Sequence, residues 1–336
     1  MAWSMRAPVF VFLRNRLLQV VPVVFGIALL NFLILQIAPG DVVDVLAGEA
    51  GAATPEYMAQ LRAGFGLDQP LYLQLLHYLW NVVTLDLGFS FRQNMPVFDL
   101  IASRLPATLL LMAAAMGIAL LLGVALGVLS ALRVHRWQDN AISLLVLVAY
   151  AMPTFWLGLM AIVLFSAKLG WLPSGGMSDI SAAHTGLAHA LDVARHAVLP
   201  SLTLATFYLA VYAKLVRTAM LELYGADFIR TARAKGAGEA RITLVHALRN
   251  ALLPLVTMLG YQVASLLSGA VLVESVFSWP GLGRLAFESI LARDFNLLLG
   301  ILLLSSLLVT LINIVVDVAY ALLDPRVQLR QAGGWS

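Results

Sequence analysis

Six stretches of this chain run for at least 17 residues without an Asp, Glu, Lys, Arg or His: 17–38, 105–132, 141–167, 197–213, 251–273 and 295–316. All 21 basic side chains, all 18 acidic ones and all six histidines fall outside them. A bilayer core needs about 20 consecutive apolar residues per spanning helix, and charge at its centre is costly. The chain is 61% hydrophobic and 12% charged, where soluble domains average about 45–50% and about 25%. The pattern predicts an all-α polytopic membrane protein with six transmembrane helices, the fourth stretch being the shortest.

Arg6, Arg14 and Arg16 precede the first stretch as basic residues precede the apolar core of a secretory leader. The run is longer than such a core and no A-x-A site follows it, so an uncleaved first helix is expected. Lys and Arg then set the orientation, because cytoplasmic segments carry the excess. With the N-terminus inside, the cytoplasmic segments hold Arg6, Arg14, Arg16, Arg133, Arg136, Lys214, Arg217, Arg230, Arg233, Lys235, Arg241, Arg249, Arg326 and Arg330. The longer outer segments hold only Arg62, Arg92, Arg104, Lys168, Arg195, Arg284 and Arg293. Both termini, and the basic block TARAKGAGEARITLVHALRNALLP at 231–254, are therefore expected in the cytoplasm. Cysteine is absent, which agrees with exposure to an oxidising outer compartment.

Four parts follow: 1–38, an N-terminal cytoplasmic end and the first transmembrane helix; 39–104, a large periplasmic loop subdomain; 105–325, a core with helices 2–6 and a cytoplasmic loop at 218–250; and 326–336, a cytoplasmic tail. The 39–104 loop carries Asp41, Asp44, Glu49, Glu56, Asp68, Asp86 and Asp99. Within it, 55–64 reads as a helix behind a Thr54 cap, Asp68-Gln-Pro opens a second helix with an aromatic-rich face, and 81–94 reads as a turn or short hairpin around Gly88. The aromatic face suits a small local core or an interfacial belt, or a docking surface. Gly123 with Gly127, and Gly260, Ser265, Ser268 and Gly269, allow close helix approach, inside the chain or against a second membrane subunit. Pro22, Pro153 and Pro254 sit in or beside the spans and can bend them.

The six stretches hold no Asp, Glu, His, Lys or Arg. Ion-coupled carriers commonly place one at mid-depth, and intramembrane hydrolysis needs an acid, base or metal ligand there. Glu274 and Asp317 lie just past stretch ends, where an interfacial or packing role is the default. None of Lys168, Lys214 and Lys235 is followed by Ser or Thr, so no phosphate-binding loop of the G-x-x-x-x-G-K-[ST] type exists, and neither H-E-x-x-H nor G-x-S-x-G occurs. No enzymatic activity is expected, no metal site is suggested by the Met residues, and energy for transport must come from a partner. The basic block itself fits two readings equally: a hairpin lying on anionic lipid headgroups, or a knob that inserts into a soluble motor.

Resemblance separates them. FIRTARAKGAGEARITLVHALRNALLP looks like the cytoplasmic coupling loop of binding-protein-dependent ABC importer permeases, in the form of the dipeptide and oligopeptide group. Relative to the general family pattern Arg230 replaces a Glu, Thr231 replaces an Ala, Ala232 and Gly236 match, His246 stands where Ile is expected and Pro254 comes late. IAPGD (37–41), GLDQPLYLQ (66–74), LDLGFSF (85–91), LPATLLL (105–111), MPTFWLG (152–158), ESVFSWPGLGRL (274–285), RDF (293–295) and DPR (324–326) also resemble that group, in order.

The resemblance implies a type I ABC importer permease subunit of the bacterial inner membrane. A second homologous permease, two cytoplasmic ATPases carrying ATP and Mg, and a periplasmic solute-binding protein would be its partners. A coupling helix around 226–236, with Asp227, Arg230, Thr231, Ala232, Arg233, Lys235 and Gly236, would transmit the ATPase stroke. The turn at Trp279, Pro280, Gly281 and Gly283 would shape an outer gate or merely end a helix. Peptide import is the leading expectation. A nickel-chelate or glutathione permease of the same architecture is the alternative, and a self-contained channel or a membrane scaffold for a signalling ATPase represents a different class.

Overall fold

The computed structural model describes residues 6–37, 43, 54–64, 67–179, 181–182 and 184–323. Asp41, Asp44, Glu49, most of the IAPGD motif, the DPR motif and the 326–336 tail lie outside the described residues. The elements are α1 (Arg6–Ile37), α2 (Pro55–Gly64), α3 (Leu71–Val83), β1 (Phe89–Ser90), β2 (Met95–Pro96), α4 (Val97–Leu132), α5 (Trp137–Ala151) and α6 (Thr154–Ala161), which continues into a π-helical turn Ile162–Lys168. They go on with α7 (Gly186–Tyr224), α8 (Asp227–Ala234), α9 (Glu239–Arg241), a π-helical stretch Ile242–Ala247, α10 (Leu248–Ala251), α11 (Leu253–Val276), α12 (Leu282–Ala292) and α13 (Phe295–Leu323).

Every charge-free stretch folds as helix, the form in which a single segment satisfies its own N–H and C=O groups without water. Leu18–Ile37 of α1, all of α4 and α7, and Phe295–Val316 of α13 are long and apolar enough to cross a bilayer. The third stretch is not one straight rod. Pro153 lacks an N–H and forces Met152 out of helical geometry, to φ −78 and ψ 135, so α5 and α6 meet at 105°. Pro22, Pro106 and Pro200 stay inside unbroken helices, and Pro254 sits in the first turn of α11, where a missing N–H is harmless. The apolar part of α11, Gln262–Val276, is shorter than the other spans. Among the described residues four helices, or five with the bent pair taken together, are thus able to span, where the charge-free stretches predicted six. The fourth stretch understated its helix: α7 runs for 39 residues, through Asp192 and Arg195 before the stretch and Lys214 and Arg217 after it.

The described chain divides into two compact units. In the first, drawn from Met1–Ser103 and Glu288–Ile314, the C-terminal half of α1 packs on α3 and α13. Ala28, Val82 and Leu303 form its centre, with Val24, Ile27, Tyr78, Leu79 and Leu87 around it, and Asn31 Nδ2 donates to Leu299 O at 3.2 Å. The aromatic face of α3 therefore feeds a local core through Tyr78, while Tyr72 and Trp80 point away from it and are exposed. Thr54 caps α2 by accepting from Tyr57 N. The hairpin is present, but its turn lies at 91–94 with Asn94 at φ 51, and Gly88, at φ 79, precedes the first strand. Ser90 Oγ donates to Asp294, which also caps α13 by accepting from Leu297 N at 3.1 Å. The RDF motif is thus a helix-to-helix joint: Arg293, at φ 54, closes α12 through Arg293 N to Ile290 O and Asp294 N to Ser289 O, and the next residue opens α13.

The second unit, drawn from Arg104–Phe287 and Val315–Val327, is built on α7. Gly123 and Gly127 of α4 lie against it so closely that a Cβ on Gly127 would stand 2.7 Å from Ala213 O and 2.8 Å from Val216 Cβ, and one on Gly123 2.8 Å from Tyr212 Cβ. The small-residue pair thus serves packing within the chain. Gly158 of α6 and Gly269 of α11 complete the packing, the former against Phe277 and the latter against Leu204.

Gly127→Val is expected to destabilise the fold by about 1–3 kcal/mol through overpacking. A drop in the thermal unfolding midpoint of the detergent-solubilised protein checks this, and an unchanged midpoint would mean that α4 and α7 do not meet at Gly127.

Candidate functional site: the 226–251 loop and its supports

The block at 226–251 folds as a short helix, a tight reversal and an irregular return helix. Ala226 adopts an extended cap geometry and Asp227 places an acid in the first turn, favourable at the positive helix end. Arg233 sits in the last turn, the complementary arrangement. The helix ends in a Schellman closure, with Gly236 N donating to Arg233 O at 3.0 Å and Ala237 N to Ala232 O at 3.1 Å. Gly236 takes φ 80, a left-handed conformation that an L side chain resists. A Cβ there would meet nothing within 4 Å, so the demand for glycine is a backbone demand alone.

Anchors hold this element to the body. Ile229 and Ile242 are fully buried, Thr243 shares a 2.9 Å hydrogen bond with Tyr224 Oη at the end of α7, and Arg233 grips Glu239 with both Nε and Nη2, at 2.8 and 3.1 Å. That grip holds the Glu239 carboxyl below the ordinary glutamate range, so the pair survives as pH falls through that range and is lost only below it. Arg230 pairs with Asp227 at 3.6 Å, Thr231 Oγ1 donates to Asp227 O, and Lys235 is exposed and makes no ion pair among the described residues. Ala232 is half-buried, and Phe228 is exposed beside these polar groups. The seven residues singled out from the sequence thus lie on one short helix and its closing turn. Two of the three cations are committed to intrachain partners, which the motif did not foretell.

The turn at Ser278–Gly283 is a packed corner. Trp279 is fully buried and its Nε1 donates to Ala107 O at 2.9 Å, while Pro280 is half-buried. The organising group is Glu274, also fully buried. It accepts from Thr108 Oγ1 at 2.8 Å and from Arg284 N at 2.9 Å, the latter in the first turn of α12. Thr108 Oγ1 in turn accepts from Leu282 N at 2.7 Å. Gly281 and Gly283 are required by this carboxylate: a Cβ on Gly281 would stand 2.2 Å from Glu274 Oε1, and one on Gly283 3.0 Å from Oε2 and 2.7 Å from Val271 Cα. Glu274 had signalled itself only as an acid one residue past an apolar stretch.

A third polar cluster escaped the sequence. Asp139, 3% exposed, accepts from Arg217 Nε and Nη2, both at 2.8 Å, from Ser130 Oγ and from His135 N at 3.1 Å. One carboxylate thereby joins the end of α4, the 133–136 turn, the start of α5 and the C-terminal part of α7. Its partners lie up to 78 positions away in sequence, beyond any local motif.

With this geometry in place, comparisons with known proteins are specific. Residues 123–329 match the family described as "Binding-protein-dependent transport system inner membrane component", and residues 9–112 match the N-terminal model of the same group. The dipeptide transport system permease protein DppB of Escherichia coli is 41% identical over 334 residues, covering 94% of this chain and 98% of its own length. The di/tripeptide transport system permease protein DppB of Pseudomonas aeruginosa is 41% identical over 331 residues, with the same two coverages. Among solved structures, a chain of the MetNI methionine ABC transporter in an inward-facing conformation superposes with a TM-score of 0.53 at 21% identity, covering 67% of this chain and 96% of that one, a likeness of fold.

Gly236→Ala is expected to cost about 1–2 kcal/mol, the penalty for a left-handed residue bearing a Cβ, and Gly236→Asn less, because Asn tolerates that region. Thermal midpoints of the two purified variants check the order. Equal losses would place a steric contact at a position the structure leaves open.

Proposed function

The chain belongs to the family of binding-protein-dependent transport system inner membrane components, a multi-pass permease component of an ABC importer, and from that premise we propose that it carries di- and oligopeptides from a periplasmic binding protein into the cytoplasm. The identity to dipeptide and di/tripeptide permeases along 94% of the chain carries this reading, and favours peptides over a nickel chelate or glutathione. A second permease subunit completes the path, and two cytoplasmic ATPases with ATP and Mg supply the energy that no motif in this sequence can supply. Both termini and the 226–251 loop face the cytoplasm.

In this mechanism α8 is the contact to the ATPases. Its exposed face presents Phe228, Thr231 and Lys235, an apolar anchor among polar groups, while Ile229 and the Arg233–Glu239 pair keep the helix from swivelling on its base. A rigid element is what a stroke requires, because a displacement applied to a loose loop is absorbed by the loop. Asp227 and Arg230 order the first turn, and Gly236 permits the reversal that brings the return helix back to the body. The lumen, lined by neutral groups, passes a peptide without holding it, and selectivity resides in delivery from outside. The Ser278–Gly283 corner, fastened through Glu274, forms part of the outer closure.

Proteoliposomes containing the chain with its co-purified partners are expected to take up a labelled dipeptide only when ATP is supplied inside. Gly236→Pro, which removes the N–H donated to Arg233 O and cannot adopt φ 80, is expected to abolish uptake or leave ATP hydrolysis running without it. Normal transport by this variant would return the loop to a lipid-facing role. Transport of nickel chelate or glutathione instead of peptide would keep the architecture and change the solute. Orientation is checked with single cysteines, which the cysteine-free chain accepts without background. An impermeant maleimide is expected to label position 235 only after permeabilisation and position 72 in intact cells.

A further inference from the structure

The polar cluster around Asp139 is not needed to place α8, to shape the outer corner or to line a path, yet it is the most extensively bonded carboxylate among the described residues. Its geometry connects two things. Arg217 lies seven residues before Tyr224, about 10 Å along α7 at 1.5 Å per residue, and Tyr224 is itself bonded to the loop through Thr243. Asp139 lies in the first turn of α5, the helix that leads to the 105° bend at Met152 and Pro153 and so into α6. Arg217 binds it as a fork, two parallel N–H donors at equal distance, which fixes orientation as well as separation. Ser130 and His135 take the remaining acceptor directions, so the carboxylate cannot rotate to follow one partner without releasing another. Fully occupied buried carboxylates of this kind rigidify what they join.

We propose that the Asp139–Arg217 fork makes the loop-bearing end of α7 and the whole of α5 a single lever, so that displacement of the 226–251 loop is delivered to the bent α5–α6 pair. Asp139 and Arg217 are positioning residues for energy coupling, acting through helices and touching neither solute nor nucleotide. The inference rests on the transport reading above for its consequence, and on the fork alone for its mechanics.

Two measurements test it on the complete transporter, and they fail separately. In proteoliposomes Asp139→Asn, which keeps the shape but loses the charge, and Arg217→Lys, which keeps the charge but loses the fork, are expected to lower peptide uptake per ATP hydrolysed by about tenfold, with hydrolysis itself and the amount of assembled complex near wild type. The double variant Asp139→Cys with Arg217→Cys, bridged by a short bis-methanethiosulfonate linker, is expected to restore the ratio, because the lever needs rigidity and not charge. Uptake and hydrolysis falling in proportion, or a bridged variant that stays uncoupled, would reduce the cluster to a structural staple.

The second measurement needs no solute. Spin labels at Asn140 on α5 and Glu222 on α7, both exposed, are expected to show one narrow distance by pulsed electron resonance, the same without nucleotide and with ATP, and a broadened or shifted one in Asp139→Asn. A distance that changes with ATP in the wild type overturns the lever even if transport is as proposed. A constant distance in a complex that carries no peptide upholds the lever and overturns the peptide reading instead.

Discussion

A bilayer core supplies no hydrogen bonds to the chain inside it, and most of what this protein does structurally follows from that. The spans are helices because a helix bonds its own backbone, and they are apolar because charge is penalised, so specificity has to be written at their ends. The ends are where the chain keeps its buried acids. Asp294 opens α13 while tying down the hairpin, Glu274 holds the start of α12, and Asp139 collects three elements on one carboxylate. Between these polar knots the helices meet through small residues, Gly123 and Gly127 above all.

Length and charge alone locate the four helices among the described residues that are long and apolar enough to cross, because the physical signal is one-dimensional: a run either reaches about 20 apolar residues or does not. The same argument errs where a helix outlives its apolar window. The charges of α7, from Asp192 to Arg217, mark where it leaves the most apolar environment and not where it stops. The break in the third stretch was signalled by Pro153, but Pro22, Pro106 and Pro200 carry the same signal and break nothing. The difference lies in tertiary packing, which a sequence window does not contain. The hairpin was legible and its turn was not, since Gly88 and Asn94 both take left-handed geometry and only the strand register decides between them.

At the loop, the helix, the reversal at Gly236 and the return helix could all be read from residue types. The internal salt bridges could not, because Asp227 with Arg230 and Arg233 with Glu239 compete with any external acid for the same cations. A basic motif therefore overstates the charge available to a partner. The Ser278–Gly283 corner shows the converse. Its Pro-Gly sequence announces a turn, while the acid that fixes the turn is recognisable only once Thr108, 166 positions away, has been brought beside it.

That corner also limits how this protein can vary. With the Glu274 carboxylate 2.2 Å from where a Cβ on residue 281 would stand, no side chain enters at 281 unless the acid is shortened or withdrawn, and a shortened acid releases the N–H of Arg284 and the hydroxyl of Thr108. Positions 108, 274, 281 and 283 consequently form one inheritable unit, residue 284 contributing only its backbone N–H. A chimaera that takes α11 from one relative and α12 from another must keep all four together, and its junction belongs elsewhere than between Val276 and Leu282.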